Sequence, residues 1–150
     1  MWADDEASRG LGMTLDHVGR GRATVSMAVR DDMTNGHGTA HGGFIFALAD
    51  SAFAFACNSH NERTVAQACD IVFIAPAHEG DVLVADATER HHWARNGIYD
   101  VRITRGDQVV AEFRGRSRTI GAELVDRAHA ILSSAEAPPV DRAPPEAGTV

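Results

Sequence analysis

Residues Gly43–Asn58 constrain this chain more than any other stretch. They are dominated by Phe, Ala, Leu and Ile, and around a 3.6-residue period they leave no polar face. A surface helix needs such a face, so the segment is expected to be a helix buried all round. A single curved sheet covers a helix from one side, which makes a second subunit the natural cover for what remains open. The run is too short to span a membrane, and Asp50 interrupts it.

The flanking residues describe the cover. From Arg22 to Arg30, Ala23, Val25, Met27 and Val29 alternate with Arg22, Thr24, Ser26 and Arg30, the period of a strand with one wet face. Asp31–Ala40 is rich in Asp, Thr, Asn and Gly and reads as a structured loop. After a turn near His60–Arg63, strands are expected over Val65–Ala75, Asp81–Trp93, Gly97–Arg105 and Gln108–Ile120, with hairpin turns at Ala94–Gly97 and Gly106–Asp107. Residues 3–11 read as a short entry helix, Glu123–Ala135 as a terminal one, and Ala137–Val150, loaded with Pro, Ala, Glu and Gly, as a disordered tail. The expected organisation is an α+β domain over residues 1–121, an antiparallel β-sheet wrapped around a long central helix. Residues 122–150 are an appendage to it.

Charge limits the partners. The net charge of −7 argues against bulk attraction to nucleic acid or to an anionic membrane. The chain has no lysine, so any anion it binds must be met by arginine, histidine or backbone N–H groups. Cys57 and Cys69 lie in apolar runs and read as reduced thiols. The acidic start, Met1–Gly12, has no apolar signal core, which makes the cytoplasm the expected location.

Within the apolar helix Asp50 stands out. Its neighbours three and four positions away are Phe46, Ala47, Phe53 and Ala54, and an unpaired carboxylate there costs several kcal/mol in principle. Either Ser51 or a backbone group satisfies it, or it is a catalytic base or nucleophile. His41-Gly42-Gly43 enters the same helix, where first-turn N–H groups lack intrahelical partners and carry the positive end of the dipole. The two glycines form a flexible helix entry or an oxyanion hole. Asp50 lies eight residues beyond Gly42, about 12 Å along a helix axis, so one carbonyl cannot touch both within one chain. If both act on one substrate, Asp50 comes from an antiparallel copy of the helix in a two-fold dimer.

Asn35-Gly36 is a turn signal whose amide could also orient His41 or a substrate carbonyl. His37 and His41 sit in a Gly-rich loop without a third ligand, so no metal site is expected. Arg90, His91, His92 and Arg95 flank a hairpin, and Arg114, Arg116 and Arg118 share one strand face. Both groups are either solvated faces or a phosphate site.

The stretch Asn35 to Asn58, with His41-Gly42-Gly43 six residues after Asn35 and Asp50 seven after Gly43, resembles the phenylacetyl-CoA thioesterases of the hotdog superfamily. Asp70-Ile-Val-Phe-Ile-Ala-Pro76 and Phe113-Arg-Gly115 fit as well, and the resemblance covers roughly residues 8–121. It implies a hotdog fold, a homodimer that often pairs again into a tetramer, and hydrolysis of an aryl-acetyl-CoA to free acid and CoA. CoA belongs to the substrate, and no cofactor is implied. By similarity Gly42 polarises the thioester carbonyl, Asn35 and His41 shape that end, and Asp50 of the facing subunit activates water or attacks. Gly43, Gln67, Arg90, His91 and Arg95 are the expected substrate contacts. Relatives often carry a Ser or Thr near the catalytic Asp where this chain has Ala66-Gln67-Ala68; Gln67 or Thr64 is expected to stand in. Width of the acyl pocket is expected to depend on Phe46, Phe53, Phe73 and Trp93. The alternatives are a hotdog dehydratase or hydratase and a non-catalytic acyl-CoA-binding protein.

Overall fold

Ala, Leu and Phe without proline over seventeen residues favour a helix, and the polar loop before them leaves room for its cap. The computed structural model describes residues 1–124, apart from the Ala122 side chain. A 3-10 turn at Trp2–Asp4 and helix α1 (Glu6–Gly10) lead into β1 (Met13–Gly19) and β2 (Arg22–Ala28). A second 3-10 turn, Asp31–Met33, and a loop then enter α2 (Gly42–Asn58). Four strands follow: β3 (Glu62–Phe73), β4 (Val82–Trp93), β5 (Asn96–Arg105) and β6 (Gln108–Glu123). They form one antiparallel sheet in the order β1-β2-β4-β5-β6-β3. This is the α+β hotdog fold, with α2 lying in the hollow of the sheet. Among the described residues no helix is long and apolar enough to cross a membrane.

The alternation expected over Arg22–Arg30 holds in β2, and β4 and β5 alternate along the part that faces α2. Val25, Met27, Leu83, Ala85, Tyr99, Val101 and Ile103 turn inward onto Leu48, Ala49, Ala52, Phe53 and Ala56 of α2. In β6, Ala111 and Phe113 point in, and Val110 is an extra buried residue at the register shift opposite Ile103 and Thr104. Strand β1 has no counterpart in the sequence reading. Its pairing with β2 slips between Leu15 and His17, so its side chains lose strict alternation and the period-two signal disappears. A two-residue turn at Arg20-Gly21 joins it to β2, and Gly21 takes φ +69° there. The expected terminal helix begins at Glu123, which is the last residue of β6, and the Leu124 amide donates to Asn61 O; residues 125–135 of that helix and the tail lie outside the described residues.

The sheet does not bury α2 all round. Phe46, Ala47, Asp50 and Ala54, spaced along one stripe, stay half-buried within the protomer. That stripe faces the side where the sheet ends in β3. Strand β3 pairs with β6 along one edge and, among the described residues, has no strand on the other; Thr64 is its only buried residue. Val65, Val72 and Phe73 are exposed along it, with Ile74 just beyond. A long apolar edge of this kind is a template for pairing with another chain.

Gly115 marks the closest approach of sheet and helix. A Cβ placed there would meet three Phe53 ring atoms at 2.7–2.8 Å, and that ring is wedged between Tyr99 and Phe113. Gly115→Ala is expected to lower unfolding stability by about 1–3 kcal/mol. Gly121→Ala, whose Cβ would find nothing closer than 3.7 Å, should be near neutral in the same chemical denaturation.

Candidate active site

Two half-sites lie along α2. The first is its N-terminus. His41, extended at φ −66° and ψ 130°, is the N-cap, and its Nδ1 accepts the Gly43 N–H at 2.9 Å. The loop before it is shaped by Asn35, whose Oδ1 accepts from the His37 and Thr39 amides while Nδ2 donates to Thr39 Oγ1. The His41 amide donates to Met33 O, and Ala40 pairs with both Thr34 and Ala77. The cap therefore takes one of the two glycine donors considered from sequence. Among the described residues Gly42 N–H, at the first helical position, is the one left without an acceptor. It opens into a recess of about 460 Å³ lined by Asn35, Ile45, Phe73, Ile74 and Pro76, among others. The Phe73 ring lies directly over Gly42, where a Cβ would come within 2.9 Å of Cζ, so glycine is what lets the ring and any ligand come close.

The second half-site is Asp50, two turns further along. Ser51 does not satisfy it: Ser51 Oγ bonds to Ser8 Oγ, which in turn donates to Asp5. Among the described residues Asp50 has no hydrogen-bond or ion-pair partner, and burial alone raises its pKa above the usual carboxylate value. It lines a second recess, about 320 Å³, with Phe53, Ala54, Cys57, Asn58, Thr64, Val65 and Ala66. Cys57 is buried and reduced, and burial, with a smaller contribution from Asp50, pushes its thiol up to about 12, so it is not a nucleophile.

Helix and edge strand run antiparallel across this pair. Phe73, at the end of β3, covers Gly42, while Asn58 at the end of α2 exchanges hydrogen bonds with the Thr64 backbone near the start of β3. Thr64 lines the Asp50 recess, but its hydroxyl donates to Glu62 O and meets Thr119 Oγ1. Gln67 is the extra, exposed residue at the register shift between Ala66 and Ala68 and is not part of that lining. The aromatic set divides likewise. Phe53 lines the Asp50 recess and Phe73 covers Gly42, whereas Phe46 packs on Phe113 and Trp93 stacks on His91.

The cations fall on the outer face and the β4–β5 hairpin. Arg90 and Arg114 both engage Asp100, and Arg116 engages Asp70. Arg95 Nε donates to Thr119 O, the strand position paired with Thr64, which puts the hairpin at the Asp50 end of the sheet rather than the Gly42 end. His60 had no assigned part in the sequence reading. It joins Tyr99 on Glu89 and stacks on His92, and the shared hydrogen bonds hold the Glu89 carboxyl below its usual range despite partial burial. Only the fold brings these four groups together, from three separate segments.

Among the described residues, α2 thus presents an N–H without an acceptor at its start and a half-buried carboxylate without a partner two turns on, within a hotdog fold. The sequence profile of the thioesterase superfamily matches residues 37–112. The acyl-coenzyme A thioesterase PaaI of Escherichia coli is 43% identical over 129 residues, 85% of this chain and 92% of that one. The structure of E. coli PaaI, from the phenylacetic acid degradation operon, superposes with a TM-score of 0.80 over 82% of this chain and 90% of that one. A variant of the phenylacetic acid degradation protein PaaI of Thermus thermophilus is 37% identical, with a TM-score of 0.73 over 75% and 97%. A Streptococcus mutans protein bound to acetyl-CoA is 26% identical, with a TM-score of 0.71 over 74% and 90%. The chain belongs to the thioesterase superfamily, among the hotdog-fold acyl-CoA thioesterases related to PaaI. It is a hydrolase acting on thioester bonds.

The raised pKa of Asp50 carries a stability consequence. The folded chain holds this proton more tightly than the unfolded one, so the contribution is favourable at low pH and is lost as pH rises through the raised pKa. Asp50→Asn, close in shape and always neutral, is expected to raise the melting temperature at neutral pH. The gap between variant and wild type should close as the pH is lowered below the ordinary carboxylate value.

Proposed function

We propose that the chain hydrolyses phenylacetyl-CoA or hydroxyphenylacetyl-CoA-like thioesters, in a site assembled between two subunits. The observation that carries this reading is the pairing, on one helix, of a half-buried carboxylate with an N–H about 12 Å away, both without a partner among the described residues. Neither makes a site alone. An antiparallel copy of α2 across the exposed β3 edge brings Asp50 of one subunit opposite Gly42 of the other, twice per dimer. It also covers the half-buried stripe of α2. As the resemblance implies, such dimers pair again into a tetramer.

In this mechanism the thioester oxygen accepts the Gly42 N–H, helped by the positive end of the helix dipole. His41 and Asn35 act as positioning residues: one caps the helix and the other sets the loop that presents Gly42. Asp50 of the facing subunit takes a proton from water as the water oxygen adds to the carbonyl carbon. The C–S bond then breaks, CoA leaves with the electron pair as thiolate, and the acid is released. In the covalent variant the Asp50 oxygen adds to the carbonyl instead, and water hydrolyses the resulting anhydride. Both need ionised Asp50, and a carboxylate with a raised pKa is the stronger base. Arg95 and His91, exposed on the hairpin, are the proposed contacts for the CoA phosphates. Arg90 is a weaker choice because Asp100 already holds it.

Thiol release from phenylacetyl-CoA is expected to fall roughly 10²–10⁴-fold in Asp50→Ala at unchanged fold. The wild-type pH–rate profile should have its acid limb above the ordinary carboxylate range. Full activity in Asp50→Ala would contradict the reading, and so would a change in enoyl absorbance with β-hydroxyacyl-CoA, which belongs to a hydratase. Val72→Lys, which charges the exposed edge, should yield folded monomers with little turnover when followed by size-exclusion chromatography and assay.

A further inference from the structure

The Asp50 recess is not the last cavity along α2. Behind it lies a larger apolar recess of about 390 Å³, lined by Trp2, Leu15, Val18 and Phe55 among others, where the N-terminal turn and β1 pass the last turns of the helix. Neither the proton transfer nor the carbonyl contact uses it. Among the described residues the two recesses share Met1 and Asn58 in their walls and nothing else.

Asn58 is a fixed partition. Its Nδ2 donates to Ala54 O and Thr64 O, both at 2.9 Å, and its Oδ1 accepts the Thr64 N–H at 3.0 Å. Both amide hydrogens and one oxygen lone pair are thereby engaged with backbone, which pins the side chain in one orientation. The side chain sits eight residues past Asp50, about 12 Å along the helix axis. On the Asp50 side the walls are apolar at Phe53, Ala54, Cys57, Val65 and Ala66, and Thr64 adds a hydroxyl that is engaged by Glu62 O and Thr119 Oγ1. The recess of about 320 Å³ is at the small end for ligand sites, which run roughly 300–1,000 Å³.

We propose that Asn58 is the specificity-determining floor of the acyl site, closing the Asp50 recess against the apolar recess at Trp2 and Phe55. An aryl-acetyl or medium-length acyl group fits above the floor. The distal end of a long-chain acyl group is the ligand the recess beyond would take once the floor is removed. This inference rests on the reading of Asp50 as the reacting carboxylate.

The test compares kcat/KM for phenylacetyl-CoA, octanoyl-CoA and dodecanoyl-CoA on the full chain. Asn58→Ala is expected to raise the dodecanoyl-to-phenylacetyl ratio roughly tenfold or more, since each methylene seated in an apolar pocket is worth about that factor. Asn58→Ser, whose hydroxyl can still bond back to Ala54 O, should move the ratio in the same direction by less, and serves if the alanine variant does not fold. Val18→Trp, on the exposed rim of the far recess, should change nothing in the wild type and should abolish the gain in the Asn58→Ala background. Mere destabilisation would lower all three substrates together and leave the ratio alone. An unchanged ratio in the folded Asn58 variants, or a gain that survives Val18→Trp, would overturn the role of Asn58. Wild-type turnover that survives Asp50→Ala would instead overturn the underlying reading of the site, and this inference with it.

Discussion

A carboxylate held half-buried among apolar side chains, with no hydrogen bond from any described residue to answer it, is the constraint on which the rest of the molecule depends. Asp50 could have been paired. Ser51 is its neighbour, yet Ser51 is bonded to Ser8, and the outer face of the sheet has arginines that engage Asp70 and Asp100. The surroundings therefore oppose its charge, and burial raises its pKa. A fold tolerates that only when the rest of the helix is anchored firmly. Here Leu48, Ala49, Ala52, Phe53 and Ala56 are seated against four strands, and Phe53 presses on a glycine chosen for its lack of a side chain. The rigidity of the inner face of α2 is what keeps the outer stripe available.

The same helix offers its two chemical ends to different neighbours. Its N-terminus is prepared by local contacts alone: Asn35 closes the loop, His41 caps the helix through Gly43, and Gly42 keeps its donor. Its far half is prepared by the edge strand, because β3 and α2 run antiparallel and are tied at Asn58 and Thr64. Strand β3 is thus a wall of the Gly42 and Asp50 recesses and, with β1 at the other end, one of the two edge strands among the described residues. In the proposed dimer, a second subunit added at that edge would complete the sheet, the helix cover and the chemistry in one step, which would make assembly and catalysis depend on the same strand.

Much of this was legible in the chain before any coordinates. The apolar run of α2, the outlying Asp50 and the Gly-Gly entry are local signals, and the helix rise alone separates Gly42 from Asp50. Four of the strands declared themselves by alternation. What stayed hidden depends on contacts between distant segments. The β1 pattern is broken by a bulge. That Gly43 loses its N–H to the cap depends on the His41 ring turning back over the helix start. Gln67, expected near Asp50 from its position after Ala66, falls on a bulge that takes it out of the recess. Arg90 reads as a free cation until Asp100, ten residues on, is seen beside it across the hairpin. The partition at Asn58 has no sequence signature, because an asparagine at a helix end is ordinary and only the two recesses on either side give it meaning.

The central claim is that one chain's Gly42 N–H works with the other chain's Asp50, and mixing two inactive variants tests it most directly. Gly42→Pro is the cleanest way to remove the donor. Proline is accepted at the first helical position, and His41 already has the extended backbone that a residue before proline requires. The Phe73 ring, the far end of a half-exposed side chain, must shift to admit it. Alone, Gly42→Pro and Asp50→Ala should each lose nearly all turnover of phenylacetyl-CoA. Co-refolded in equal amounts, half of the dimers are heterodimers, and each of these carries one site with both groups intact, so about a quarter of the wild-type activity per site should return. A mixture no more active than its components, with heterodimers verified by mass, would contradict a site shared between subunits.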